Sequence, residues 1–155
     1  MAKVVIDANV IISAAFGGTP LRAVIRAMEE DEICLSQAIE RELTEVFSKL
    51  SKKLKKEQIT FLNEKMHELV GMAKKVSVST DVVLSRDAKD DHYLSLCKEV
   101  KADFLVTGDK DLLSITPEAL KRDGIPCLIL TPQEFMERVY GNGGEIHLRV
   151  LCRRG

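Results

Sequence analysis

Short runs that are apolar at every position alternate with helical patterns along most of this chain, and no other feature constrains its fold as strongly. A run such as residues 4–6 or residues 104–106 is typical of a strand that is covered on both faces. The segments between such runs carry apolar residues at helical spacing, for example Ile39, Leu43 and Val46. This alternation indicates right-handed crossovers, which predicts an α/β fold with a central, mainly parallel sheet and helices on both faces.

The same patterns give approximate bounds for the elements. The predicted strands are residues 4–6, 33–35, 104–106 and 127–130, and residues 76–84 are predicted as a further strand or a strand-like link. The predicted helices are residues 20–30, 37–50, 57–73, 90–100 and 132–140. The last helix begins at a near-complete capping box, because Thr131 precedes Glu134 by three residues. Residues 145–155 have no clear pairing partner, and we expect a strand or a loose tail there.

Length and charge bound the domain count and the class of protein. The 155 residues fit one domain, which we expect to cover residues 1–140, with residues 141–155 as a C-terminal tail. With 23 basic and 24 acidic residues the chain has no overall basic field. This argues against a protein whose main work is to hold nucleic acid, but not against an enzyme that contacts it briefly.

Neither membrane attachment nor zinc binding is indicated. No apolar run approaches the roughly 18 residues of a membrane span, and the first residues lead into a strand rather than a signal peptide, so we expect a cytoplasmic protein without membrane contact. The four cysteines form no CxxC pair. We expect them to be small buried hydrophobes in a reducing compartment.

Two acidic residues follow predicted strands directly. Asp7 ends the first strand, and Asp109 follows residues 104–106 within Thr107-Gly108-Asp109. In open parallel sheets, ligands bind outside the carboxyl ends of the strands, so both carboxylates are predicted to face a crevice. Each aspartate can instead cap the short helix that follows it, and the sequence leaves both interpretations open.

Two further acidic residues lie on apolar helix faces. Glu42 comes three residues after Ile39, and Asp90 precedes Tyr93 by three residues. An acid at a helix start also complements the helix dipole, which is the ordinary explanation for Asp90. Four carboxylates in one crevice repel each other and raise one another's pKa values, and the simplest compensation is a hard divalent cation such as Mg²⁺ or Mn²⁺.

In their order and spacing these residues resemble the PIN domain family. The motifs are Asp7-Ala8-Asn9 after the first strand, Glu42-Leu43 after the second, Asp90-Asp91 opening a later helix, and Thr107-Gly108-Asp109 after the fourth strand. The resemblance spans residues 3–140 and is nearest to small prokaryotic PIN proteins described as toxins of toxin–antitoxin pairs. It implies a three-layer α/β/α fold and a ribonuclease that depends on one or two Mg²⁺ or Mn²⁺ ions.

The resemblance also assigns roles to residues. It implies a catalytic and metal-binding quartet of Asp7, Glu42, Asp90 and Asp109. Asp91 is a further metal ligand by this comparison, since Asp91 or Asp87 can share the task of the third acid. The supporting polar residues are Asn9, Thr107 and Asp111. The implied partners are an RNA substrate, an antitoxin protein and further copies of the chain in a homodimer or higher oligomer.

Substrate contact is expected from basic side chains around the acidic centre. Lys49, Lys52 and Lys53 belong to a lysine-rich segment that would grip the phosphate backbone, although such a segment is also typical of a solvated helix end. The expected reaction is in-line hydrolysis that leaves 5′-phosphate and 3′-hydroxyl ends, and it needs no histidine base. His92 is the one histidine near the acids in sequence, and we expect it to be a surface helix residue.

Two other functions compete with the nuclease. A Mg²⁺-dependent phosphotransfer domain or phosphatase also places aspartates at strand ends, but the phosphatase pattern needs a second aspartate where this chain has Asn9. The other is a catalytically inactive partner-binding module of the same fold, although nothing in the acidic quartet is degraded.

Overall fold

The computed structural model describes residues 1–79, 81–85, 87–140 and 146–148. The strands among them are β1 (Lys3–Ile6), β2 (Glu32–Ser36), β3 (Lys74–Val76), β4 (Phe104–Val106), β5 (Leu128–Leu130), β6 (Arg138–Tyr140) and β7 (Ile146–Leu148). The first five form one parallel sheet in the order β3-β2-β1-β4-β5, and β6 pairs antiparallel with β7. The predicted α/β fold with a central parallel sheet is confirmed.

Eight helices connect or follow these strands in the described part of the chain. They are α1 (Ala8–Ser13), α2 (Gly18–Glu30), α3 (Gln37–Leu50), α4 (Lys56–Met72), α5 (Asp91–Val100), α6 (Lys110–Leu113), α7 (Pro117–Arg122) and α8 (Pro132–Glu137). A 3₁₀ turn at Ala88–Asp90 leads into α5. The capping box predicted from Thr131 and Glu134 is present at the start of α8.

The strand order determines which face each helix covers. From β1 the chain moves outward through β2 to the edge strand β3, then returns past β1 to β4 and the opposite edge β5. Because right-handed crossovers in opposite directions place their helices on opposite faces, α1 to α4 cover one face and α5 to α7 cover the other. The direction reverses between β1 and β4, and the carboxyl ends of strands at such a reversal form a crevice suited to ligands.

The core lies on both sides of the central strands. Residues 4–6 and 104–106 are each at most 1% exposed, as expected of strands that are apolar at every position. Cys34, Cys97 and Cys127 are buried free thiols, as predicted, while Cys152 lies outside the described residues. No single helix of the described ranges combines the length and apolar character of a membrane span; only Ala8–Phe16 and Gly18–Glu30 taken together, with a bend of 118°, reach both limits.

Residues 76–84 were predicted as a strand or a strand-like link, and β3 includes Val76 and ends there. The backbone that follows bonds to side chains of α5 instead of to a neighbouring strand. Val82 N–H donates to the hydroxyl of Ser95 at 3.0 Å, and the N–H groups of Leu84 and Ser85 donate to the Asp91 carboxylate. Side chains of α5 therefore hold Val82, Leu84 and Ser85 outside the sheet.

The helix predicted over residues 132–140 ends early, at Glu137. Arg138 adopts an extended conformation, and its side chain turns inward, where it donates to Asp31 at 2.7 Å and to the carbonyl of Phe135 at 2.8 Å. This buried ion pair favours the strand β6 over further helix. The predicted domain boundary after residue 140 falls between β6 and β7, and residues 141–145 and 149–155 of the predicted tail lie outside the described ranges.

Candidate active site and metal centre

The carboxyl ends of β1 and β4 hold the centre of the candidate site. These strands pair in parallel with Ile6 opposite Val106, and the N–H of Asp7 donates to the carbonyl of Val106 at 2.9 Å. Asp7 and Thr107 are therefore the first residues beyond two neighbouring strands. The Thr107 hydroxyl donates to Oδ2 of Asp7 at 2.7 Å. The carboxyl ends of these two strands thus bring Asp7 and Thr107 into direct contact.

Asp7 is 2% exposed and nevertheless well supplied with donors. Its Oδ1 accepts the N–H of Asn9 at 2.9 Å and the hydroxyl of Tyr93 at 3.2 Å, besides the bond from Thr107 to Oδ2. Burial raises the pKa of the Asp7 carboxyl above its ordinary value, and the bond from Thr107 opposes that rise. The bond from Asn9 also caps α1, so the capping role and the crevice position are both present in one side chain.

Asp109 combines the same two roles after β4. Its N–H donates to the Thr107 hydroxyl at 3.0 Å, while its Oδ1 accepts the N–H of Asp111 at 2.7 Å and that of Leu112 at 3.3 Å. These bonds cap α6. Because one oxygen serves the cap, the other is left to the crevice.

Asp90, Asp109 and Asp111 form an oxygen cluster, with one carboxylate oxygen from each within 4.8 Å of the others. Within the described ranges, Oδ2 of Asp90 is buried without a hydrogen-bond partner. Burial and then the charge of Asp109 raise the pKa of Asp90 to about 7, with smaller contributions from Asp87 and Asp7. Clustered carboxylates with an unsatisfied buried oxygen fit a hard divalent cation, which prefers oxygen ligands and would relieve the repulsion.

Glu42 reaches the same region from α3. Its Oε2 lies 2.8 Å from Nε2 of His92, and both side chains are about one-quarter exposed, at 27% and 26%. The negative charge of Glu42 is one cause of the raised pKa of Asp7, although burial is the largest. The structure therefore brings Glu42 near Asp7, while its carboxylate is not among the three oxygens of the cluster.

Asp91 points elsewhere. It is 8% exposed, and its Oδ1 accepts the N–H of Leu84 at 3.1 Å and that of Ser85 at 2.7 Å. It therefore holds the loop before α5, while its neighbour Asp90 carries the oxygen in the cluster. Between the alternatives for the third acid, the geometry favours Asp90, and its part in catalysis stays a prediction.

The remaining predicted residues divide between the crevice and the far end of α3. Asn9, Asp7, Gly108 and Asp109 line a cavity of about 330 Å³ beside the acids. Lys49, Lys52 and Lys53 are exposed at the C-terminal end of α3 and in the turn after it, roughly 10 Å or more along the helix from Glu42 at 1.5 Å per residue.

Two residues on α5 contact the candidate site although neither was predicted to do so. His92 is half-buried against Glu42 instead of lying on the surface, and Tyr93 is both a core residue and a donor to Asp7. Burial and then Asp7 raise the pKa of Tyr93, which keeps its hydroxyl a donor. Their position directly after Asp90-Asp91 was the available signal.

A second cavity, of about 690 Å³, has His92 in its lining. Its lining includes Gln37 and the exposed cation Arg41 from the start of α3, and Asp81 from the loop before α5. Arg41 is therefore an exposed basic side chain beside His92, and it was not among the basic residues predicted to contact the substrate.

Comparison with known proteins gives a family and a fold. A family model described as PIN domain matches residues 3–111. A domain of a functionally unknown protein from Methanocaldococcus jannaschii is similar in structure, with a TM-score of 0.50 and 17% identity over 84% of this chain and 91% of that one. A chain of VapBC2 from Rickettsia felis bound to a DNA fragment from their promoter gives a TM-score of 0.49 and 17% identity over 83% of this chain and 96% of that one. No curated protein sequence matches.

Proposed function

Because the chain belongs to the PIN domain family, a family of nucleases, we propose that it is a metal-dependent endoribonuclease that hydrolyses RNA phosphodiester bonds. The observation that supports this most is the cluster of Asp90, Asp109 and Asp111, in which Oδ2 of Asp90 is buried without a hydrogen-bond partner among the described residues, next to the buried carboxylate of Asp7. Side chains that are far apart in sequence thus supply negative charge to one crevice at the reversal of strand order.

The acidic residues would bind the metal, and their neighbours would hold them in position. Asp90, Asp109 and Asp111 would hold one or two Mg²⁺ or Mn²⁺ ions, and Asp7 and Glu42 would add their carboxylates to the same metal centre. A bound ion of this kind supplies Lewis-acid chemistry, because it lowers the pKa of water and offsets charge on the phosphate. The protein fixes the ligands, since Thr107 and Tyr93 hold Asp7 with two hydrogen bonds.

The RNA strand would occupy the cavity that borders Asp7 and Asp109, which would bring the scissile phosphate close to these carboxylates. Arg41 and the exposed lysines Lys49, Lys52 and Lys53 contact the phosphate backbone further along α3. Hydrolysis leaves a 5′-phosphate and a 3′-hydroxyl. As part of the same proposal, the protein is the toxin of a cytoplasmic toxin–antitoxin pair, binds an antitoxin protein and forms a homodimer or higher oligomer.

The test is cleavage of single-stranded RNA by the purified protein with Mn²⁺ or Mg²⁺. We expect cleavage that EDTA abolishes and that Asp7→Asn removes, because the amide no longer contributes negative charge to the crevice. Glu45→Gln is the matched control, since it removes one exposed carboxylate from α3 outside the site. An absence of cleavage with either ion contradicts the proposal, and a wild-type rate for Asp7→Asn excludes Asp7 from the site.

The same preparation separates the competing functions. Incubation with a small phosphoryl donor followed by mass spectrometry detects an aspartyl phosphate, which would favour the phosphotransfer domain. Mn²⁺ binding without cleavage of any RNA would favour the inactive partner-binding module.

A further inference from the structure

Three consecutive side chains at the start of α5 hold three different parts of the site region. Asp91 accepts amides of the preceding loop, Tyr93 donates to Asp7, and His92 between them contacts Glu42. Successive helix residues project about 100° apart at 3.6 residues per turn, so a single turn reaches all three directions. Asp91 holds the loop and Tyr93 holds Asp7, whereas the contact of His92 is with Glu42.

The contact between His92 and Glu42 has a fixed direction. An ionised carboxylate only accepts hydrogen bonds, so Nε2 of His92 carries the hydrogen and donates it to Oε2 of Glu42 over 2.8 Å. Nδ1 of His92 is buried and, among the described residues, has no hydrogen-bond partner. With one nitrogen occupied and the other enclosed, His92 acts through Glu42 and not as a ligand or base.

The histidine ring is itself held in place. It lies against the ring of Tyr93, with centroids 4.1 Å apart and planes tilted by 36°. The Tyr93 hydroxyl accepts the N–H of Ala8 at 2.9 Å and donates to Asp7, so it is bonded to the start of α1. His92 therefore presents its donor from a fixed position, whereas the Glu42 side chain has several rotatable bonds of its own.

We propose that His92 is a positioning residue that fixes the Glu42 carboxylate in the orientation that completes the acidic site. The proposal rests on the proposed function, because Glu42 matters here as part of the metal centre. Hydrogen-bond partners of metal-binding carboxylates typically change metal affinity by about 10- to 100-fold when they are removed.

The test compares Mn²⁺ binding by calorimetry, without RNA, for variants that keep or lose the donor. His92→Phe keeps a ring against Tyr93 but donates nothing, and His92→Asn is a second variant whose shorter side chain falls short of Glu42. Both are expected to bind Mn²⁺ about 10-fold more weakly. His92→Gln, which can place an amide N–H toward Glu42, is expected to restore binding.

Two comparisons separate positioning from a general structural effect. Gln37→Ala, which changes another residue lining the 690 Å³ cavity beside His92, is expected to bind Mn²⁺ like the wild type. In a Glu42→Ala background, His92→Phe is expected to cause no further loss, because the group that it positions is gone. Thermal unfolding without metal checks that each variant is folded.

The outcomes decide this proposal independently of the nuclease. Wild-type Mn²⁺ affinity in both donor-free variants overturns it, as does an equal loss with and without the Glu42 side chain. Where RNA is cleaved, His92→Phe is expected to lower kcat and leave KM for RNA unchanged. If no variant, including the wild type, cleaves RNA, the proposed function fails while the Mn²⁺ affinities still decide the role of His92.

Discussion

Thr107 and Asp7 are 100 residues apart in the chain, and the hydroxyl of the first donates to the carboxylate of the second over 2.7 Å. The same hydroxyl accepts the N–H of Asp109 at 3.0 Å. One small side chain therefore links the two acids that follow β1 and β4. It orients Asp7 and, through the backbone, sets where Asp109 begins α6.

Replacement of Thr107 with valine, which has a similar shape, tests this link. Asp7 would lose a donor while it stays buried, and we expect the free energy of unfolding to fall by about 1.5–3 kcal/mol, as for hydrogen bonds to charged groups. Nuclease activity should fall as well. Urea unfolding measures the first effect. Thr44→Val, an exposed position on α3, should change stability by no more than about 0.5 kcal/mol; an equal loss there would contradict the assignment.

Asp90 and Asp91 are neighbours with opposite expected behaviour. Asp90→Asn should remove Mn²⁺ binding, because Asp90 carries an oxygen of the cluster, and should stabilise the metal-free protein by relieving repulsion. Asp91→Asn should retain Mn²⁺ binding but destabilise the fold by about 1–3 kcal/mol, because the amides of Leu84 and Ser85 lose their charged acceptor. Calorimetry and urea unfolding on both variants measure the two effects. The reverse pattern would make Asp91 the third acid.

The metal-free protein should become less stable as the pH rises. The pKa of Asp90 is raised from 3.8 to about 7, so the folded state holds this proton more tightly than the unfolded state does. The resulting stabilisation is complete below the unfolded value and is lost as the pH passes through the folded one. In EDTA, the wild type should therefore lose more thermal stability than Asp90→Asn between pH 5 and pH 8. Parallel profiles for the two proteins would contradict this.

Loss of the buried ion pair between Arg138 and Asp31 should lower the free energy of unfolding without changing metal binding at the site. Both side chains are at most 2% exposed, and the guanidinium lies 3.5 Å from the ring centroid of Phe135. Asp31→Ala removes the carboxylate that accepts from this buried guanidinium and should cost about 3–5 kcal/mol. Glu30→Ala removes the neighbouring exposed pair with Arg26 and should cost at most about 1 kcal/mol. Mn²⁺ affinity of the folded fraction should not change, since Asp31 precedes β2 at the opposite end of the sheet.

Strands β1, β2, β4 and β5 could be predicted because each contains a run that is apolar at every position. The end of each run indicated the carboxyl end of the strand. Asp7 and Asp109 were expected to face a crevice on that basis. The helix caps were also local signals, and Thr116 before Pro117 offers the same one for α7, which the sequence analysis did not use. Where the pattern weakened, residues 76–84 stayed open between a strand and a strand-like link, and the helix predicted to reach residue 140 ends at Glu137.

The finer arrangement of the site depends on contacts between distant parts of the chain. The choice between Asp90 and Asp91 follows from where α5 begins and from a loop that bonds to Asp91, neither of which has a periodic signal. The bond between Glu42 and His92 joins residues 50 positions apart on different helices. The inward turn of Arg138 depends on Asp31, which is 107 positions away.

Both strand-end aspartates also begin a helix, and this gives the site an uneven tolerance to mutation. Asparagine begins a helix about as well as aspartate does, whereas alanine does not. A descendant of this protein that gave up catalysis can therefore drift to asparagine at positions 7 and 109 and keep its architecture. Such a lineage would lose metal binding and catalysis while its helix caps and fold are retained.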